Sequence, residues 1–246
     1  MQLIKLSATD STNAYLRRLS RREPVPDFTV VQATHQSEGR GQPGTRWISD
    51  EGKNLTFSIL KKFQTFPAQK HFLLNILVSL SVHRLLESLG IPEVNLKWPN
   101  DILSGSRKVC GILLENQLRG AQLSASIIGI GLNVNQTVFA DLPSATSLKN
   151  STGNSYDLDE VLLTFIGFLQ EAFRQLPETS YSSFLGQYEE KLYLKDQPAP
   201  FILPDGKRFI GTIRGVDPRG CLQVELESGN LRTFGFKEVR YLREGP

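Results

Sequence analysis

Apolar positions recur along the chain with two periods, and the points where the period changes mark its elements. Residues 3–6, 28–33 and 55–60 are short runs rich in β-formers and read as strands. Between the first two, Asp10-Ser11-Thr12-Asn13 offers capping side chains ahead of a helix over 14–22. Residues 68–89 carry Phe72, Ile76, Leu77, Leu80, Leu85 and Leu89 close to helical spacing, and Gly90 and Pro92 end that pattern. Strand character returns at 94–98, 111–118 and 123–133, with Arg119-Gly120-Ala121-Gln122 as a hairpin connection between the last two. Asp157 and Glu160 have the spacing of a capping box and open a helix over 158–176, striped by Val161, Phe165, Phe168, Leu169, Ala172 and Leu176.

Two stretches break this rhythm. Residues 36–54 hold Gly39, Gly41, Gly44 and Gly52 with no sustained period, and a loop of that length inside a compact domain is usually functional or disordered. At Lys195-Asp196-Gln197-Pro198-Ala199-Pro200 the helical character stops. Short β-like runs follow at 201–203, 208–216, 221–227 and 231–236, separated by turn sequences such as Asp217-Pro218-Arg219-Gly220. Such closely spaced turns predict a small barrel. The expectation is an α+β, mixed-sheet domain over 1–196 followed by a small all-β domain over 197–246.

Composition changes this picture little. With 39% hydrophobic and 22% charged residues the chain reads as a globular protein. A net charge of +3 is too slight to argue for general nucleic-acid or membrane binding, so basic function must come from local clusters. Cys110 and Cys221 are far apart and in no metal-ligand spacing, so free, buried thiols are expected. The N-terminus lacks the apolar core of a secretory signal, and no apolar run approaches the ~20 residues of a membrane span. A cytoplasmic location is expected. His35, His71 and His83 show no metal spacing, and no protein nucleophile is indicated.

The candidate chemistry lies in five segments. In Gly39-Arg40-Gly41-Gln42-Pro43-Gly44-Thr45-Arg46-Trp47, glycines allow backbone amides to approach an anion while Arg40 and Arg46 offer guanidinium forks. The lysine-threonine ending of a P-loop is absent. Lys97-Trp98-Pro99-Asn100-Asp101 closes a strand, with Lys97 on the face opposite Leu96 and Trp98 and with Asn100 and Asp101 in a turn. Lys108 opens an otherwise apolar strand that contains Gly111, and Gly129 and Gly131 clear one face of another strand. The hydroxyls of Asp10-Ser11-Thr12-Asn13 suit a polar ligand head as well as a helix cap. Each segment alone also has a purely structural explanation: a solvated loop, a turn, the wet end of a strand, close packing or a cap.

Taken together, DSTN, QSEGRGQPGTRW, KWPNDI, KVCGILLE and GIGLNVN, in this order, resemble the signature of the biotin protein ligases. The similarity runs on through the capped helix into the β-rich tail, which resembles the family's small SH3-like C-terminal domain. The resemblance implies a two-step enzyme. Biotin and ATP, with magnesium, give biotinyl-5′-AMP and pyrophosphate; a lysine of a biotin carboxyl-carrier domain then takes the biotinyl group.

By position, the resemblance implies biotin contacts at Ser11, Thr12, Asn13, Gln36, Arg40, Gly41, Gln42 and Lys108, with Gly111, Gly129 and Gly131 as a floor under the ligand. It implies nucleotide contacts at Arg40, Trp47, Asn100, Lys108, Asn133 and Arg243, and no metal ligands from the protein. Arg40 and Lys108 are the expected catalytic cations, since a carboxylate meeting an α-phosphate brings two anions together. Lys97 and Asp101 are expected around the phosphates and the acceptor lysine, with Asp101 as helper in deprotonating that amine. Lipoate or octanoate transfer, on the same architecture, is the alternative activity. Many relatives carry an N-terminal helix-turn-helix repressor domain; here the first motif begins at Asp10, so no DNA binding is expected. A monomer or weak homodimer, away from membranes, is the expected form. Many relatives also have an arginine directly after the second glycine, where this chain has Gln42-Pro43. An absent charged hydrogen bond there is worth ~1–3 kcal/mol of hold on the adenylate.

Overall fold

The computed structural model describes residues 1–140, 142–176 and 179–242. A seven-stranded sheet and a five-stranded sheet organise the chain. The first holds β1 (Gln2–Thr9), β2 (Thr29–Gln36), β3 (Leu55–Lys62), β4 (Val94–Lys97), β5 (Asp101–Ser104), β6 (Arg107–Arg119) and β7 (Gln122–Leu132), in the order β1-β2-β3-β7-β6-β5-β4. Only β1 and β2 run parallel, because α1 (Thr12–Arg22) crosses over between them; the remaining neighbours are antiparallel. The second sheet holds β8 (Pro198–Ile202), β9 (Arg208–Val216), β10 (Leu222–Leu226), β11 (Leu231–Phe234) and β12 (Arg240–Tyr241), all antiparallel, in the order β11-β10-β9-β8-β12.

The two faces of the large sheet are built differently, as strand alternation requires. Leu55, Phe57 and Ile59 of β3 and Ile128, Ile130 and Leu132 of β7 join the main core beneath α2 (His71–Ser88), α4 (Leu158–Gln175) and α5 (Tyr181–Glu190). On the opposite face a smaller cluster of Leu16, Val31, Leu60 and Ile127 seats α1. Beside it the face turns polar or bare: Thr56 and Ser58 on β3 stand next to Gly131 and Gly129 on β7, and Gly131 next to Gly111 on β6. That cleared strip positions the site.

The helix predicted over 68–89 is a 3₁₀ turn at Ala68–Lys70 followed by α2. It is buried nearly all round, because α4 and α5 cover the side turned away from the sheet. The helix predicted over 158–176 is α4, and Asp157 caps it by accepting from the amides of Asp159 and Glu160 at 2.8 and 2.9 Å. Unforeseen are α5, the short α3 (Leu148–Thr152), β5 and β12. Trp98-Pro99-Asn100 was expected to end a strand; it is the turn of a β4–β5 hairpin, so Asp101 opens a strand opposite Lys97. Of the two thiols expected to be buried, Cys110 is and Cys221 is only half-buried.

Candidate active site

A cavity of about 850 Å³ opens over the bare strip of the large sheet. Its inner end is a nest of hydroxyls and amides. The backbone amide of Thr12, at the N-terminus of α1, donates to Gln36 Oε1 at 2.8 Å. The Ser58 hydroxyl lies 2.7 Å from Thr12 Oγ1 and 2.5 Å from Asn13 Oδ1. Asn13 Nδ2 donates in turn to Glu115 Oε2 at 2.9 Å, and Arg17 pairs with that carboxylate at 3.3 Å. With both ends engaged, the Asn13 amide has one orientation. Ser11, Thr12, Asn13 and Ser58 are all buried, in surroundings where an unmet polar group is costly. The nest can therefore present fixed donors and acceptors to a small polar head.

The wall of the cavity is the glycine- and arginine-rich segment, which folds as a β-hairpin. Gly41 N donates to Thr45 O at 3.1 Å, Thr45 N to Gln42 O at 2.8 Å and Trp47 N to Gly39 O at 3.0 Å. The turn needs Gly44 at φ 85°, a conformation in which a Cβ is disfavoured. The hairpin carries Trp47 back onto the sheet, where its indole lies over Gly131, and its edge reaches Gly111. A Cβ on Gly131 would overlap that ring, and a Cβ on Gly129 would overlap the Asn13 amide. The three glycines thus line the cavity as expected, but what rests on Gly129 and Gly131 is the protein's own Asn13 and Trp47.

The mouth is cationic. Arg40, Arg46, Lys97, Lys108, Lys237 and Arg240 line the cavity against one carboxylate, Asp101. Convergent cations of this kind bind and steer anions even when the net charge is small. Lys108 Nζ lies 2.6 Å from Asp101 Oδ1 and 5.6 Å from the Trp47 ring. The start of β6 is pinned by Lys108 N donating to Ser144 O and Thr146 N donating to Lys108 O, both at 2.8 Å. Lys97 Nζ stands 5.0 Å over the Tyr241 ring. Arg40 is exposed and makes no ion pair among the described residues. Burial pushes the neighbouring Cys110 thiol far up, which removes it as a nucleophile.

Of the residues expected to act, Ser11, Thr12, Asn13, Gln36, Arg40, Gly41, Gln42, Trp47, Lys97, Asn100, Asp101, Lys108, Gly111, Gly129 and Gly131 all line this one cavity. Asn133 does not; it is buried, and its Nδ2 donates to Thr146 O at 2.9 Å, bracing the segment beside Lys108. Arg243 lies outside the described residues. Sequence reasoning missed Ser58 and Glu115, which hold Asn13 from outside the cavity lining, and from the small C-terminal domain it expected only Arg243, whereas Lys237, Arg240 and Tyr241 line the cavity. The two sheets are joined here, since Trp98 Nε1 donates to Gly220 O at 2.9 Å.

The carboxylate count bears on metal binding. Among the described residues no three His, Cys, Asp or Glu side chains cluster as a metal site. A magnesium ion fits this cavity as the partner of a triphosphate, which is how that ion is commonly held.

Comparison with known proteins agrees with this geometry. Residues 6–133 match the model of the biotin/lipoate A/B protein ligase family. A solved biotin protein ligase from Aquifex aeolicus, in complex with biotin and ATP, is 30% identical, superposes with a TM-score of 0.79, and 99% of each chain is covered. The biotin–[acetyl-CoA-carboxylase] ligase of Paracoccus denitrificans is 32% identical over 175 residues, 68% of this chain and 70% of that one. The bifunctional ligase/repressor BirA of Escherichia coli is 28% identical over 222 residues, 89% of this chain but 68% of the relative. The chain belongs to the biotin/lipoate A/B protein ligase family.

Proposed function

We propose that this protein activates biotin with ATP as biotinyl-5′-AMP and transfers the biotinyl group to a lysine of a biotin carboxyl-carrier domain. The observation that carries the reading is the continuity of one cavity from the buried nest of Ser11, Thr12, Asn13 and Gln36, braced from behind by Ser58, to a mouth of six cations. A neutral, polar ring system suits the nest, and an acyl phosphate with its nucleotide suits the mouth. The relatives' names and complexes point to biotin over lipoate.

In the first step a carboxylate oxygen bonds to the α-phosphorus and the bond to the departing pyrophosphate breaks. Arg40 and Lys108 offset the negative charge gathered there, and magnesium adds its charge on the phosphates. In the second step the carrier amine bonds to the acyl carbon, AMP departs and the amine gives up a proton. Asp101 is the carboxylate nearest Lys108 and is assigned to that proton. Gln42 and Gly41 belong with Arg40 to the biotin-side wall, and Trp47 with Asn100 to the nucleotide side. Asn133 acts through Thr146, and Arg243 is assigned to the nucleotide on resemblance alone.

The same reading divides the chain after residue 196, supported by the five-stranded sheet beginning at Pro198. It takes the protein as a cytoplasmic monomer or weak homodimer that meets its carrier transiently, with no DNA or membrane partner. Among the described residues, no helix is long and apolar enough to cross a membrane. Pyrophosphate release from ATP is the test: biotin is expected to trigger it, and release triggered equally by lipoate or octanoate would refute the assignment.

A further inference from the structure

The hairpin's internal bonds fix its shape but not its angle to the body of the protein. At its base the Trp47 indole rests on Gly131. At its tip Pro43 O accepts a hydrogen bond from Lys237 Nζ at 2.7 Å, a contact between residues 194 positions apart. Lys237 lies in the tight turn between β11 and β12, where Glu238 N donates to Gly235 O at 3.1 Å and Gly235 N to Glu238 Oε2 at 2.7 Å. Its φ is 68°, in the left-handed region where any Cβ is disfavoured and glycine is the natural occupant. A lysine retained in that conformation, with its ammonium on a neighbouring unit's carbonyl, links backbone strain to a specific contact. Both Lys237 and Pro43 line the cavity.

We propose that Lys237 is a positioning residue, a latch from the C-terminal sheet that holds the hairpin down over the cavity and slows loss of the acyl-adenylate. The inference rests on the biotinyl-AMP reading for its ligand. It also accounts for Gln42, because a loop short of one cation gains hold from a lysine supplied across the cavity. Pro43 suits the receiving position, since its ring locks φ and stiffens the hairpin tip.

The experiment compares wild type with Lys237→Gly, Lys237→Ala and Lys237→Arg in the full chain. Lys237→Gly separates the latch from folding, because it removes the ammonium while relieving the left-handed backbone. Two readouts are taken: amide hydrogen exchange over residues 39–47 without ligand, and release of biotinyl-AMP after excess biotin and ATP are removed. Lys237→Gly is expected to keep or raise Tm. It is expected to exchange faster in the hairpin and to release the adenylate about 3- to 10-fold faster, the scale of one partly exposed charged hydrogen bond. Lys237→Ala should act likewise and Lys237→Arg should restore most of the retention. Unchanged hairpin exchange, or unchanged release with an adenylate that forms normally, overturns the latch. Wild type that forms no adenylate overturns the functional reading instead, while the exchange measurement still decides the latch.

Discussion

Ser58→Ala tests whether the nest at the inner end of the cavity is a built ligand site. The Ser58 hydroxyl is fully buried and faces both Thr12 Oγ1 and Asn13 Oδ1. Having a single proton, it can donate to only one of them and must accept from the other or leave its second lone-pair contact weak. Its removal deletes that bond and leaves Asn13 Oδ1 short of a donor inside the protein. Together these cost about 1–3 kcal/mol, which for a domain of this size lowers Tm by about 2–12 °C. Asn13 would then be oriented by Glu115 alone, so KM for biotin should rise about 5- to 50-fold while kcat at saturation moves less. A control lies on the neighbouring strand. Ser126 is equally buried, yet its hydroxyl has no partner among the described residues, so Ser126→Ala should be neutral or stabilising. Thermal melts and steady-state kinetics in biotin check both variants. An unchanged KM for biotin in Ser58→Ala, with Tm lowered, would refute the reasoning, since the network would then be packing alone.

Three further outcomes are expected. Gly131→Ala places a methyl against the Trp47 ring; the exposed hairpin yields before the sheet does, so KM for ATP should rise about 5- to 30-fold with Tm nearly unchanged, and a fall in Tm without a KM effect would contradict this. Lys61 is enclosed by Phe28, Phe63 and Phe173 at 5.1–5.4 Å and pairs with Asp27 at 2.6 Å, away from the cavity. Lys61→Met should cost about 1–3 kcal/mol of stability and leave kcat unaltered, as melts and turnover will show. The hydrogen bond from Arg18 holds the Asp10 carboxyl well below the usual carboxylate range. Its stabilising share is therefore complete above the unfolded value near ~3.9 and is lost as pH falls through the lower folded value. Between about pH 4 and pH 2, wild type should lose Tm more steeply than Asp10→Asn, and parallel curves would rule this out.

Elements with strong local signals were legible in the sequence: α4 by its capping box and apolar stripe, α1 by the polar run before it, although Ser11 makes no side-chain cap bond, and β9 as a β-like run between two turns. What escaped was set by contacts made far along the chain. β12 is two residues long and exists because it pairs with β8. The β4–β5 hairpin was hidden by Pro99, which reads as the end of a strand until Lys97 and Asp101 are seen opposite each other. At the site, the ordered motifs located one cavity, but each motif reported only its own residues. Ser58 did leave a trace, a lone hydroxyl within the apolar run Leu55-Thr56-Phe57-Ser58-Ile59-Leu60. Glu115 stood at the end of KVCGILLE with no role to read, and Lys237 left no trace, because their partners lie 102 and 194 positions away. Of the six cations that the fold gathers at one mouth, the motifs named Arg40, Arg46, Lys97 and Lys108, while Lys237 and Arg240 were hidden in the tail.

The most direct test of the central claim is transfer of biotin to a purified carboxyl-carrier domain, followed by intact-mass measurement with and without ATP. Biotinylation of a single lysine that requires ATP, and that falls sharply in Arg40→Ala and Lys108→Ala, is the predicted result. A carrier left unmodified by wild type with biotin, ATP and magnesium present, or modified equally well without ATP, would contradict it.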